Sequence, residues 1–146
     1  MLSCPDMSSR GAALHDEDFV RLLAFRDGLR RFQRWSDDRA RAVGLTGAQH
    51  QLLLAIRGHG TPPSIGEVAR HLLLRHHSVV ELVDRAVAAG LVERVGDDDD
   101  QRVVRLRLTR RGAARVEALA AAHLEELSRL GPRFHTLWDH LPDAPG

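Results

Sequence analysis

The sequence contains no lysine, no asparagine and no tyrosine, and it has one cysteine, Cys4, among 146 residues. A single thiol excludes an intramolecular disulfide framework and any zinc site built on several cysteines, so a reducing, cytoplasmic setting is expected. Long hydrophobic runs are missing too: Leu52–Ile56 and Ala118–Ala122 fall far short of the roughly 20 apolar residues that a membrane span needs. The N-terminal MLSCPDMSSRG has no apolar core of the kind a secretory leader carries. No phosphate loop, paired-carboxylate pattern or nucleophile constellation occurs, so an enzyme is not expected and no cofactor is implied. With lysine absent, all 21 basic residues are arginine, and charge recognition rests on planar, bidentate guanidinium groups. They face 20 acidic residues, for a net charge of +1. That balance excludes a simple polybasic nucleic-acid binder and puts the weight on local arrangement. The bias toward Ala, Arg and Gly follows GC-rich codons and points to a bacterial source.

At 43% hydrophobic and 28% charged, the chain has a globular composition and the length of one domain with an oligomerising extension. Residues 1–15 are small, polar and patternless, and read as a mobile tail. From Asp16 to Val43, Phe19, Leu22, Leu23, Leu29, Phe32 and Trp35 recur mostly at three- and four-residue steps, predicting a helix about 40 Å long. One short domain cannot cover such a helix, so a partner is expected. Thr46-Gly47-Ala48-Gln49 and Ser64-Ile65-Gly66-Glu67 fit the capping box and open two further helices. A fourth helix carries Val79, Leu82, Val83, Ala86 and Val87 on one face and stops at Gly90. The period then changes to two. Leu91–Val95 and Val103–Leu108 read as strands around the turn Gly96–Gln101. Thr109 opens a helix striped by Val116, Leu119, His123 and Leu127, in which His123 reads as a packed histidine. Gly131-Pro132 is expected to end it, with Phe134, Leu137, Trp138 and Leu141 marking a separate last helix. The fold class is mainly α, an α+β winged helix-turn-helix flanked by helices at both its N- and C-terminal ends.

The stretch Ile65–Gly112 resembles the MarR family of bacterial transcriptional regulators. The resemblance rests on Asp100-Gln101-Arg102 followed by Leu108-Thr109-Arg110-Arg111-Gly112, on the segment LVDRAVAAGLVER from Leu82 to Arg94, and on Leu45-Thr46-Gly47-Ala48-Gln49. Four places depart from the family pattern: Arg75 stands where a small polar or acidic cap is common, His76-His77 replace an arginine and a serine, Asp97–Asp100 form the wing turn, and the final helix is short, ending in Pro142-Asp143-Ala144-Pro145-Gly146. The resemblance implies dimerisation helices over 16–45 and 109–141, a DNA-binding winged helix over 46–108, and a short tail over 142–146. It implies a homodimer on double-stranded DNA, at an inverted-repeat operator, released by a small-molecule effector bound between the two regions near Trp35 and the second helix. The ligand-binding residues cannot be assigned from sequence.

A helix fits the major groove, and its outward residues meet base edges. The apolar face of the fourth helix leaves Arg75, His76, His77, Ser78, Val80 and Glu81 toward DNA. Arg75 suits guanine or phosphate, the histidines phosphates or base acceptors, Val80 a thymine methyl and Glu81 a cytosine amine. At the wing, the resemblance sends Arg102 into the minor groove with Asp100 orienting it, and Arg105 meets phosphate. Asp97–Asp100 reads as a solvated turn that must pair with Arg102 or Arg105 if it is not to repel DNA. Nine histidines raise the question of zinc, but no H-E-x-x-H spacing occurs and no metal site is assigned. The function expected is a ligand-responsive repressor; the alternative is a winged-helix protein-interaction module that does not itself bind DNA.

Overall fold

The computed structural model describes residues 13–138. Seven elements follow in order: α1 (Asp16–Ala42), α2 (Gly47–Gly58), α3 (Ile65–Leu72), α4 (His76–Ala88), β1 (Val92–Gly96), β2 (Val104–Leu108) and α5 (Arg110–Trp138). Both capping boxes form. Thr46 Oγ1 accepts from the Gln49 amide at 3.0 Å, and the Gln49 side chain accepts from the Thr46 amide at 3.0 Å. The Glu67 amide donates to Ser64 Oγ at 3.2 Å. At the end of α4, Gly90 takes φ +74°, a conformation that costs glycine little. This lets the Leu91 amide reach back to the Ala86 carbonyl at 2.9 Å, which turns Leu91 into the core.

The core lies where α2, α3, α4 and the hairpin meet. Leu52, Leu53, Val68, Val79, Val83 and Leu106 are among its fully buried side chains. β1 and β2 pair antiparallel, with Val92 opposite Leu108 and Gly96 opposite Val104. The β2 alternation follows from this register: Leu106 is buried while Arg107 on the other face is exposed. From α1 only its last turns reach this core, through Ala40, and from α5 only the first turns do, through Val116 and Leu119. Farther along, Phe19, Val20, Leu22, Leu23 and Leu29 on α1, with Leu124 and Leu127 on α5, are left exposed.

The expected break at Gly131-Pro132 does not occur: α5 runs as one helix to Trp138 with Pro132 inside it. Proline ordinarily disfavours helical backbone in the residue before it, partly by clashing with that residue's Cβ. Gly131 has no Cβ, which removes that part of the obstacle. Beyond the proline, the Phe134 ring packs edge-on against Phe25 of α1, with centroids 5.9 Å apart, and touches the space over Gly28. This contact gains more from a continued helix than a turn would. Leu141, assigned to the last helix, lies outside the described residues.

Candidate nucleic-acid interface

The turn between α3 and α4 is tight because Leu73 adopts the left-handed conformation, φ +54°. The Leu74 amide then closes on the Ala69 carbonyl at 3.1 Å, and α4 starts at His76. Arg75 occupies its N-cap without a side-chain hydrogen bond, as the departure from the family pattern predicts. Arg75, His76, His77 and Glu81 are exposed, Ser78 and Val80 half-buried, while Val79, Leu82, Val83 and Ala86 face the core. The residues expected to meet DNA are therefore on the outer side of α4.

At the wing, Asp100 holds Arg102 by three bonds. Its Oδ1 accepts from the Arg102 amide at 3.0 Å and from Nε at 3.1 Å, and its Oδ2 accepts from Nη2 at 3.4 Å. The Arg102 side-chain bonds, then its backbone bond, keep the Asp100 carboxyl below the usual carboxylate range. The Arg102 side chain is 91% exposed. It is oriented by its neighbour and covered by nothing.

Arg105 is placed differently from Arg102. Its Nη1 donates to Glu67 Oε1 of α3 at 2.8 Å, and its Nη2 lies 3.6 Å from Asp97 Oδ2. The guanidinium sits between two carboxylates, and its pairing with Asp97 is of the kind the acidic turn was expected to need beside DNA. Glu67 is the group that sequence reasoning missed. Burial alone would raise its carboxyl, but two hydrogen bonds from Ser64, the His59 imidazole and Arg105 outweigh that and hold it below the ordinary range. His59 Nε2 donates to Glu67 Oε2, and His59 Nδ1 shares a hydrogen bond with His71 Nε2 at 3.0 Å. The capping box announced Glu67 as a local residue; nothing in the sequence announced a partner 38 positions away.

A second polar group joins the two halves of the molecule. His123 Nδ1 donates to the Leu119 carbonyl at 2.7 Å, so Nε2 accepts from Ser36 Oγ at 2.7 Å. Its ring packs 4.8 Å from Trp35 and 4.8 Å from buried His50. The packed-histidine reading of His123 thus holds, with partners on α1 and α2. His50 is pushed below the ordinary imidazole value, first by burial and then by His123, against a smaller opposing pull from Asp37. Trp35 also lines a cleft of about 320 Å³ between α1 and α5, whose lining residues come from those two helices and not from α2. Among the described residues no group of three His, Cys, Asp or Glu side chains could hold a metal ion, and no helix is long and apolar enough to cross a membrane.

Residues 43–103 match the sequence profile of the MarR family. The matched stretch is the winged-helix region, from the residue after α1 to the one before β2, and in it the chain is similar to the MarR family. The fold agrees with solved MarR structures. A MarR family protein from Bacillus stearothermophilus superposes with a TM-score of 0.69 at 22% identity, over 90% of this chain and 86% of that one. AbsC, a MarR family transcriptional regulator from Streptomyces coelicolor, gives 0.69 at 18% identity over 82% and 81% of the two chains. A mutant of S. aureus MepR, solved bound to an oligodeoxyribonucleotide, gives 0.63 at 21% identity over 83% of each. A search of curated proteins returned no match.

Proposed function

We propose that this chain is a homodimeric, ligand-responsive repressor that binds a pseudo-palindromic operator in the cytoplasm, with α4 in the major groove and the wing in the minor groove. The observation that carries this reading is the wing tip: an arginine fixed by Asp100 yet almost fully exposed. A guanidinium so held suits a narrow, electronegative minor groove, and little side-chain freedom is lost on insertion. On α4, Arg75, His76, His77, Ser78, Val80 and Glu81 are assigned to base edges and phosphates. Dimerisation is supported by the exposed apolar faces of α1 and α5, because a patch of that extent on a soluble chain marks an interaction surface. A two-fold dimer with recognition helices one turn of DNA apart calls for an inverted repeat of roughly 16–20 bp. An effector is supported by the cleft between α1 and α5, with Phe32, Trp35 and Phe134 as apolar walls and Arg31 and Arg133 beside them.

The test compares Arg102→Ala with Arg110→Ala at one fixed salt concentration, on a duplex from the chain's own upstream region. Arg110 lies in the first turn of α5, exposed. Arg102→Ala is expected to weaken binding about tenfold to a hundredfold per contact, with Arg110→Ala close to wild type. Discrimination between A·T-rich and G·C-rich flanks should narrow as well. Wild-type affinity in Arg102→Ala would take the wing out of the mechanism and favour the protein-interaction module.

A further inference from the structure

Resting on the DNA-binding reading, we propose that Glu67 is a positioning residue: through Arg105 it ties the wing to α3 and so fixes where Arg102 stands relative to the recognition helix. A two-stranded ribbon has little stability of its own. The base of this one is anchored by buried Leu106, whose amide donates to the Pro63 carbonyl at 2.8 Å. One residue nearer the tip, Arg105 pairs its backbone with Ser64 in a single antiparallel bridge. The next residue, Val104, is exposed. Arg105 is therefore the last residue of β2 held against the body before the tip.

Its side chain extends that hold in both directions. Glu67 Oε1 receives Arg105 at 2.8 Å and Ser64 Oγ at 3.1 Å, while Oε2 receives His59, itself backed by His71. On the other side Arg105 reaches Asp97 in the wing turn. The result is a path of charged contacts from the end of α2, through α3, to the wing. Glu67, Arg105 and Asp97 are all half-buried, so water competes less for these pairs than for the exposed Arg107–Glu93 pair beside them. Because α3 packs directly on α4, a wing fixed to α3 is fixed relative to the helix that reads the major groove. Two grooves can then be met at once without ordering the ribbon on binding.

A direct phosphate contact by Arg105 predicts the opposite sign. If Arg105 touched DNA, removing the Glu67 charge would free it and tighten binding; if Glu67 positions the wing, the same change loosens binding. Glu67→Gln is the variant of choice because glutamine preserves the capping box while it deletes the charge and turns one acceptor oxygen into a donor amide. On the upstream duplex at several salt concentrations, Glu67→Gln and Arg105→Gln should each bind about fivefold to twentyfold more weakly, with the slope of log affinity against log salt unchanged. In an Arg102→Ala background neither should cost anything further, since a wing that makes no contact needs no positioning. Tighter binding by Glu67→Gln, or a loss undiminished in that background, overturns the proposal. Amide hydrogen exchange separates this from the DNA reading itself. The Asp97 and Val103 amides, bonded to Val103 and Asp100 carbonyls at 3.2 and 3.0 Å, should exchange faster in both variants while α2 amides do not change. Arg105→Gln keeps the Ser64–Glu67 cap and serves where Glu67→Gln folds poorly. Unchanged exchange in the wing refutes the tie; a wild-type chain that ignores the duplex refutes the DNA reading, and exchange still decides the tie.

Discussion

Leu73 is 90% exposed and stands in a backbone region where a Cβ meets the following carbonyl, at a cost of roughly 1–2 kcal/mol. Its side chain gives up little packing if removed. Leu73→Gly should therefore stabilise the fold by about 0.5–1 kcal/mol, after the larger entropy of an unfolded glycine is subtracted; thermal melting reads the difference. Gly112 presents the reverse case. A Cβ there would collide with the Leu91 carbonyl, which also accepts the Thr109 amide at 3.0 Å. Although alanine is the better helix former, Gly112→Ala should destabilise by about 1–3 kcal/mol in a denaturant titration, because backbone must move to admit it. The two positions show what a sequence discloses. The glycine in Leu108-Thr109-Arg110-Arg111-Gly112 was legible as a motif, but its cause, a carbonyl 21 positions earlier, is not local. Capping boxes were legible because donor and acceptor lie three residues apart. The tie from Arg105 to Glu67 was not legible because alternation reports the face of a strand, and not what packs across it.

At the scale of elements, all four helices before the hairpin and both strands fall where periodicity put them, and the error is confined to Pro132. Proline marks a helix end only when nothing beyond it gains from continuing, and the Phe25–Phe134 contact supplies that gain from another helix. The contact between α2 and α5 carries a pH dependence. The folded protein keeps the His50 pKa below the ordinary 6.5, so on acidification the unfolded chain takes up the proton first. Stability is complete above that ordinary value and falls as the pH drops through it toward the lower folded value. The groups facing His50 are His123 on α5 and Asp37 on α1. Melting temperature should fall by a few degrees between about pH 7.5 and 5.5, and His50→Gln should flatten that fall. Glu67 acts only lower, in the carboxylate range, so the two contributions separate along the pH axis. An unchanged slope in His50→Gln would assign the acid sensitivity elsewhere.

For the whole molecule, the apolar side chains of α1 and α5 are left without cover among the described residues. Replacing Leu22 and Leu23 by glutamate should turn a dimer into a monomer at micromolar concentration, as sedimentation would register, and lower the melting temperature with it. A dimer that survived both charges would place the interface elsewhere. The uninterrupted α5 then has a mechanical meaning. Its 29 residues make a rod about 44 Å long, with one end seated among the winged elements and the other on α1. A rod of that length is a lever: a tilt of about 5° at the Phe134 end carries the Arg110 end through roughly 3 Å, close to the rise of one base pair along DNA. Had Pro132 broken the helix, the same motion would be absorbed at a joint. Because the rod is continuous, a displacement no larger than the thickness of an aromatic ring would, in the dimer proposed above, put its two recognition helices out of step.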